Sequence, residues 1–226
     1  MSKKSIFLLF FLFGALKGLS QETSSPAKKT SKIYFASVTE TIFSLGILDA
    51  APLNTSSVVR FTPFFNFGQQ LHIDYSDKLG MYTGFGIRNV GMINDLNDSV
   101  RVKQRTYNVG IPVAVKFGDM NGWQGALGFE AELAFAYKQK VYVNGEKRKS
   151  SSWFDDRTNI FLPSVFAELK GKEGNYIRFK YYLVDYLSAN QQINVTGVEY
   201  LPIQSQLFYI SLGYVIKNRD FKTSKQ

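Results

Sequence analysis

The sequence predicts an all-β fold, an eight-stranded antiparallel transmembrane up-and-down β-barrel. From Ile33 onward apolar and polar residues alternate with period 2, which is typical of β-strands. Eight such segments follow one another, and the connections between them are alternately short and long. Helical periodicity is confined to the N-terminus, and a mean hydropathy of −0.12 argues against a bundle of transmembrane helices.

Residues 1–20 have the features of a secretory signal peptide. Two lysines precede an apolar run at 5–16 that is too short to span a bilayer, and Gly18 and Ser20 fit a cleavage site. A retained membrane anchor is the alternative. Cleavage removes three lysines from a chain of formal charge +9 and leaves +6, a mild excess for which we expect no nucleic-acid partner. Residues 21–32 are polar, which predicts a periplasmic linker.

The barrel is predicted to span 33–217, followed by a polar C-terminal tail at 218–226. Its strands are expected at 33–47, 59–75, 80–92, 103–117, 123–138, 158–170, 175–187 and 206–216. Within 103–117 the odd positions are apolar beyond the first turn and the even positions are small or polar. At roughly 11–17 residues these strands are longer than most, which suits a membrane barrel with protruding rims.

The connections predict the orientation of the barrel. Three are short and rich in turn-forming residues: 76–78, 118–122 and 171–174. Four are longer: 48–57, 93–101, 140–156 and 188–205. Outer-membrane barrels have short periplasmic turns and long extracellular loops. We therefore expect a multi-pass barrel in the cell outer membrane, with both termini in the periplasm, once the signal peptide is removed.

Alternation alone does not show which face of a barrel points inward, because a secreted lipocalin-like barrel alternates as well. Small residues and isolated charges on the polar face, together with long strands, favour the membrane version. Aromatic residues are expected to form girdles at the two interfaces, with ordinary β-propensity as the alternative explanation. The expected girdle residues are Tyr75, Trp123 and Tyr176 beside the short turns, and Tyr137, Tyr142 and Tyr186 towards the long loops.

Three stretches carry a family resemblance. Residues 65–74 have the pattern of a strand. Residues 78–86 have a Lys-Leu-Gly turn followed by a strand with several glycines, and residues 107–116 contain Tyr, Ile-Pro and Lys in that order. In these features the chain resembles the PorT-like outer-membrane β-barrel proteins of Gram-negative bacteria. The resemblance implies a barrel without shared catalytic residues and, for some members, service to a protein-secretion machine. The chain departs from the pattern at its end, where a polar tail replaces a terminal aromatic residue.

Parity predicts which charged side chains face the lumen. They are Glu40, Arg60, His72, Asp74, Arg88, Lys116, Glu130, Glu132, Glu168, Lys170, Arg178 and Lys180. An eight-stranded interior is just wide enough to be filled by side chains, and buried charges need partners, so we expect a closed, ion-paired lumen. The candidates for these pairs are Glu130, Glu132, Arg178, Lys180, Arg60 and Asp74. A small pore for the diffusion of small solutes is the alternative function.

The sequence predicts no catalytic, cofactor or metal site. It has no cysteine and a single histidine, which excludes thiolate and histidine-rich metal centres. A third possibility is a lipid-modifying enzyme that uses His72 with Asp74 and, as nucleophile, Ser76. A histidine whose polar groups are satisfied in the lumen is the favoured interpretation.

The connection 140–156 holds a hairpin turn signal at 144–145 and a run of positive charge. Lys147, Arg148 and Lys149 are candidates for contacts with lipopolysaccharide phosphates or another anionic partner, although a solvated loop tip is the simpler interpretation. The sequence thus predicts a non-enzymatic outer-membrane protein with a structural, binding or secretion-accessory role. Its expected partners are outer-membrane lipid and lipopolysaccharide, with other envelope or secretion proteins as a further candidate.

Overall fold

The computed structural model describes residues 31–49, 55–188, 193–195, 198–200 and 204–221. The strands are β1 (Lys32–Asp49), β2 (Ser56–Val58), β3 (Arg60–Thr62), β4 (Phe67–Asp74), β5 (Leu79–Asn97), β6 (Val100–Gly118), β7 (Gln124–Val143), β8 (Glu146–Trp153), β9 (Phe161–Lys170), β10 (Asn175–Tyr182), β11 (Ile193–Val195), β12 (Val198–Tyr200) and β13 (Gln204–Phe221). No helix in these residues has the length and hydropathy needed to cross a bilayer. The predicted signal peptide 1–20 and all but the last two residues of the predicted linker lie outside them.

Antiparallel pairing closes the sheet into a ring of eight barrel strands, in which β3 and β4 together form the second strand. Closure is made by β1 and β13, which pair from Ile33 opposite Phe221 to Asp49 opposite Gln204. The shorter β2 and β8 extend the wall beside β5 and β7. The predicted fold class, an all-β eight-stranded antiparallel barrel, is confirmed.

Two predicted boundaries differ from the structure. The segment 59–75 was expected as one strand, but the ladder is interrupted between Thr62 and Phe67, where Pro63 lacks the N–H group that a central strand needs. At the C-terminus, β13 runs to Phe221 and takes in part of the predicted tail 218–226. The reason is its partner, since the first residues of β1 lie opposite the last residues of β13.

Two of the predicted long loops are hairpins that extend the barrel wall. β5 and β6 continue to a tight turn at Asp98 and Ser99, so 93–101 is not an open loop. β7 and β8 meet at Asn144 and Gly145, whose φ angles of 48° and 84° suit a two-residue hairpin turn. The turn signal was therefore correct, and most of the connection predicted at 140–156 belongs to the strands β7 and β8.

The outer wall carries an apolar belt. On β6 the odd positions point outward, and Ile111, Val113 and Val115 are 58%, 48% and 54% exposed. The other barrel strands expose large apolar side chains in the same way, for example Phe179 and Leu212. A continuous belt of this kind is unfavourable in water and favourable in lipid, and a closed ring leaves no unpaired edge. The chain thus has the form of a transmembrane β-barrel.

The predicted aromatic girdle is only partly correct. Tyr75 and Trp123 are 47% and 67% exposed beside the short turns, as expected. Tyr176 and Tyr186 are instead buried in the interior, because their even positions lie on the inward face of the seventh barrel strand and its continuation. Tyr142 is half-buried on the β7–β8 hairpin, beyond the belt.

A bulge in β7 explains why Tyr137, the remaining residue of the predicted girdle, also faces inward. Tyr107 lies opposite Ala136 and Asn108 lies opposite Ala134, so Phe135 has no partner in the β6–β7 ladder. Before the bulge the odd positions of β7 face outward, and after it the even positions do. Tyr137, predicted to lie in the outer girdle, is therefore turned inward and is only 1% exposed.

The interior consists of two chemically different parts. Near the short turns and at mid-height it is ionic and aromatic. Towards the hairpins it becomes an apolar core formed by Ile42, Leu48, Val90, Met92, Leu96, Val100, Val102, Ala134, Leu162, Tyr182, Tyr186, Leu187, Leu207 and Tyr209. The outer wall changes in the opposite sense, since β6 exposes apolar side chains beyond Tyr107 and positive ones before it.

Candidate functional site

The centre of the lumen is held by Glu130. Arg88 donates a hydrogen bond to one of its carboxylate oxygens, and Lys180 Nζ lies 2.6 Å from the other. Lys180 also pairs with Glu132, and both carboxylates project from β7. Gly110 makes room for them, because a Cβ atom there would lie 2.5 Å from Glu130 Oε1. Glu130 and Lys180 are 0% exposed, so this pair is sealed inside the ring.

The network continues across the lumen. Arg88 Nε donates to Glu40 Oε1 over 2.8 Å, and Arg178 Nη1 lies 3.5 Å from Glu40 Oε2. Arg178 in turn donates from Nη2 to Glu168 Oε2 over 2.6 Å. The charged groups thus come from β1, β5, β7, β9 and β10 and connect opposite sides of the ring. Neutral groups satisfy the remaining acceptors, such as the Ser211 hydroxyl, which donates to Glu40 over 2.6 Å.

A second cluster lies nearer the short turns. Lys116 contacts Asp74, and its Nζ lies 3.1 Å from His72 Nδ1. An ammonium only donates, so Nδ1 accepts and Nε2 carries the proton, which it donates to Gln70 Oε1 over 3.0 Å. The Tyr34 ring stacks on the imidazole with centroids 4.8 Å apart. His72 is thus a neutral, satisfied lumen residue.

The residues of the hypothetical enzyme are used for other purposes. Both ring nitrogens of His72 have partners other than Asp74. The Ser76 hydroxyl oxygen accepts from the backbone N–H groups of Lys78 and Leu79 over 3.2 and 3.0 Å, which stabilises the turn. In the described part of the chain, no group of three or more His, Asp or Glu residues is arranged to hold a metal ion.

Five of the six lumen candidates take part in ion pairs, and Arg60 does not. Its Nη1 and Nη2 donate to the backbone oxygen and to Oδ1 of Asn89 over 3.1 and 2.6 Å. No carboxylate among the described residues lies within 4.0 Å of its guanidinium. The interruption between β3 and β4 explains this, since it leaves the Asn89 carbonyl without a strand partner and Arg60 fills the gap.

A positively charged surface lies on the outside of the hairpins. Residues opposite each other in a ladder share a face. Lys103 lies opposite Lys140, and Lys140 lies opposite Lys149 on β8. Two ladder positions closer to the membrane, on the same face, Arg105 lies opposite Lys138. Together with Arg60 these side chains line a cleft of about 440 Å³. The name basic face is used below for Arg60, Lys103, Arg105, Lys138, Lys140 and Lys149.

The charges of the basic face are not compensated by nearby acids. Like charges directly opposite each other destabilise a sheet. Burial, and then the positive charges of Lys147 and Arg105, lower the pKa of Lys140 below its usual value. Among the residues that the structure describes, no carboxylate is within 4.0 Å of any of the six; the nearby Asp95 is paired with Arg101, 2.5 Å from its Nε. The cleft is therefore a site of positive potential.

An aromatic row separates the basic face from the apolar belt. Ring centroids are 6.0 Å apart for Phe65 and Tyr107, 6.5 Å for Tyr107 and Phe135, and 6.0 Å for Phe135 and Trp153. Arg105 and Lys138 lie over the Tyr107 ring, 5.6 and 5.3 Å from its centroid. Aromatic rows of this kind mark the interface between hydrocarbon and headgroups. The basic face thus begins where the bilayer ends.

The loop candidates predicted from the sequence coincide with this surface only in part. Lys149 lines the cleft, Lys147 lies 5.9 Å from the centroid of the Tyr142 ring, and Arg148 lies opposite the inward-facing Val141. The other five members of the basic face were not predicted as binding residues. Four of them could have been found by extending 103–117 and 123–138 as a paired hairpin, which brings Lys103 opposite Lys140 once the bulge is included.

The chain matches no protein-family model and no curated protein. It is similar to solved outer-membrane barrels: Neisserial surface protein A (11% identity, 81% of this chain and 97% of that chain, TM-score 0.41), AlkL (10%, 92% and 99%, 0.37) and OprG from Pseudomonas aeruginosa (13%, 83% and 95%, 0.33). At these values the likeness carries no information about what this chain binds. Membership of the PorT-like family stays a prediction.

Proposed function

We propose that this outer-membrane barrel is a closed, non-conducting protein that acts by binding at the cell surface through its protruding hairpins. The observation that carries the proposal is the sealed ion-pair network. Glu130, Arg178 and Lys180 are each 0% exposed, although a water-filled channel would wet the charged side chains of its wall. Beyond the network, the apolar core closes the second half of the interior.

The proposal assigns no reaction to the barrel. His72, Asp74 and Ser76 are occupied by structural hydrogen bonds and an ion pair, and this supports a non-catalytic role. The features that remain available for function are on the outside, on the β5–β6 and β7–β8 hairpins. A relation to the PorT-like family is compatible with this role and rests on the resemblance of residues 65–116.

Conductance tests the closed state. The purified mature protein is inserted into planar bilayers, and we expect no steady single-channel current at any moderate voltage. Outer-membrane porin in the same bilayers serves as a positive control for insertion. A stable, reproducible current would overturn the proposal in favour of a small pore.

Cysteine labelling tests where the hairpins lie. The chain has no cysteine, so each introduced thiol is unique. A cysteine at Ser151, on β8, should react with a membrane-impermeant maleimide on whole cells, whereas one at Asn121, in a short turn, should react only after the outer membrane is broken. The reverse pattern would place the hairpins in the periplasm and contradict a role at the cell surface.

A further inference from the structure

We infer that the basic face is a binding site for the phosphate groups of the glycolipid in the surrounding outer leaflet. This inference rests on the proposed function, because it needs the hairpins outside the cell. The basic face offers ammonium and guanidinium donors from the adjacent strands β6, β7 and β8, with Arg60 of β3, around one cleft. Phosphate accepts charge-assisted hydrogen bonds from such groups, and Arg105 can do so with two parallel donors.

The charge of the cleft points to a ligand of opposite sign. Lys103, Lys140 and Lys149 lie side by side on three strands, an arrangement that destabilises the hairpins unless an anion lies between them. A volume of about 440 Å³ suits a phosphorylated sugar, since ligand pockets usually measure about 300–1,000 Å³. The site therefore fits a multiply charged headgroup better than a single small ion.

The position of the cleft identifies the source of the phosphate. It opens on the outward face of the wall, the same face that carries the lipid-facing belt on β6. Tyr107 belongs to the aromatic row and is also covered by Arg105 and Lys138, so the charges begin at headgroup height. A glycolipid whose acyl chains lie along Val109 and Ile111 would bring its phosphates to these side chains without leaving the leaflet.

Lipid retention by the intact, folded protein tests the inference. The mature protein in neutral detergent is titrated with bisphosphorylated lipid A and, separately, with lipid A stripped of its phosphates, and retained lipid is counted by native mass spectrometry. We expect the phosphorylated form to be retained preferentially. The K103Q/K140Q/K149Q variant should weaken that retention roughly tenfold or more, because three charge-assisted contacts are lost.

Two matched variants separate the site from general electrostatics. K32Q/K78Q/K172Q removes the same charge near the short turns and should bind as the wild type does. K103R/K140R/K149R keeps the charge and should retain the lipid. Heat-modifiable gel mobility confirms that each variant is folded, and the single variant Lys140→Gln, expected to weaken binding less, is the substitute if the triple variant does not fold.

Several outcomes would overturn the inference. Equal retention of the two lipid A forms, or wild-type retention by K103Q/K140Q/K149Q, would show that the basic face does not bind the phosphate groups. Stronger binding of a soluble sulfated oligosaccharide than of lipid A would assign the cleft to a free polyanion instead. If Ser151→Cys is labelled on whole cells and no current flows, such results would remove this site and leave the proposed function intact.

Discussion

The membrane-spanning and protruding parts of this barrel use the same strands with opposite polarity. Along β6, the outward positions Val109 to Val115 are apolar and the inward Lys116 is charged, whereas further towards the hairpin tip the outward Lys103 is charged and the inward Val102 is apolar. β6 itself is one continuous strand, Val100–Gly118, and passes through both parts. Apolar and polar residues alternate in both parts. The apolar face points outward where the wall is in lipid and inward where it is in water.

This difference in polarity explains why the two parts have different interiors. In lipid the wall is already apolar outside, so the lumen can hold paired charges; in water the hairpins must bury apolar side chains as any soluble sheet does. The boundary between the two parts is the aromatic row. The predictions below test each part with a matched change in the other, and they run from the largest expected effect to the smallest.

Removing the central carboxylate should have the largest effect. Glu130→Ala leaves Arg88 and Lys180 buried with one fewer carboxylate, and breaking a buried ion pair costs about 3–5 kcal/mol. Urea unfolding in detergent, followed by gel mobility, measures the loss. Glu146→Ala at the tip of the β7–β8 hairpin removes an exposed carboxylate and should stay within about 0.5 kcal/mol of the wild type.

The same variant also tests the closed lumen. We expect Glu130→Ala to lower stability without creating a steady conductance, because the apolar core above the network remains in place. A large current through this variant would mean that Glu130 acts as a gate in a pore rather than as part of a permanent plug.

The stability cost of a charge on the outward face should show whether that position is surrounded by lipid or by water. Val113→Arg places a cation in the apolar belt and should cost about 2–4 kcal/mol near the bilayer midplane. Lys103→Val, on the same face of the same strand, should change stability by no more than about 0.5 kcal/mol because its surroundings are aqueous. Folding into lipid vesicles at increasing urea gives both values. Equal tolerance of the two changes would contradict the membrane boundary at Tyr107.

A smaller effect is expected from truncating apolar side chains. Val102→Ala shortens a 2%-exposed side chain of the apolar core and should cost about 1–2 kcal/mol. Val115→Ala shortens a lipid-facing side chain, whose lost contacts lipid can replace, so its cost should be less than about 0.5 kcal/mol. Urea midpoints compare the two variants. The opposite order would show that the protruding part is loosely packed.

The smallest effect should be a gain. Lys140→Gln removes a charge facing Lys103 and Lys149, and in lipid without phosphate it should stabilise the protein by roughly 0.2–0.5 kcal/mol. The folded-state pKa of Lys140 is lowered, so its charge destabilises the folded state fully below that pKa, and the penalty declines as pH rises from that pKa to the ordinary lysine pKa. The gain should therefore shrink at high pH and at high salt, which thermal unfolding can measure.

The sequence predicted the barrel because period-2 alternation and turn residues are local signals. Within a regular strand parity alone decides the face, and the side chains of the ion-pair network lie on the inward face that parity indicates, whereas Arg60 reaches the cleft of the basic face. It did not predict the full length of the hairpins. The predicted strands 103–117 and 123–138 pass Tyr107 and Phe135 but stop short of the turns, because the outward positions there are charged and the pattern no longer has an apolar outer face. The contact of Arg60 with Asn89 depends on a ladder interruption, which is a tertiary feature.

The basic face was largely missed for a related physical reason. Lys147, Arg148 and Lys149 form a visible charged run, whereas Lys103, Arg105, Lys138 and Lys140 become neighbours only through the β6–β7 register. That register includes the unpaired Phe135, which period-2 reasoning does not anticipate. Cross-strand proximity, unlike parity, requires the structure.

The bulge at Phe135 makes the chemistry of this surface depend on a single backbone unit. If Phe135 instead took the place opposite Tyr107 in an unbroken ladder, every later residue of β7 would move by one position and turn to the other face. Lys138 and Lys140 would then point into the apolar core, and Tyr137 and Gln139 would appear on the outside in their place. Deleting Phe135 itself would leave these faces unchanged, because Ala134 and Ala136 already lie opposite the adjacent residues Asn108 and Tyr107. A one-codon deletion here could thus be absorbed by the loss of the bulge, and in a lineage that shortens this strand the cationic surface would persist.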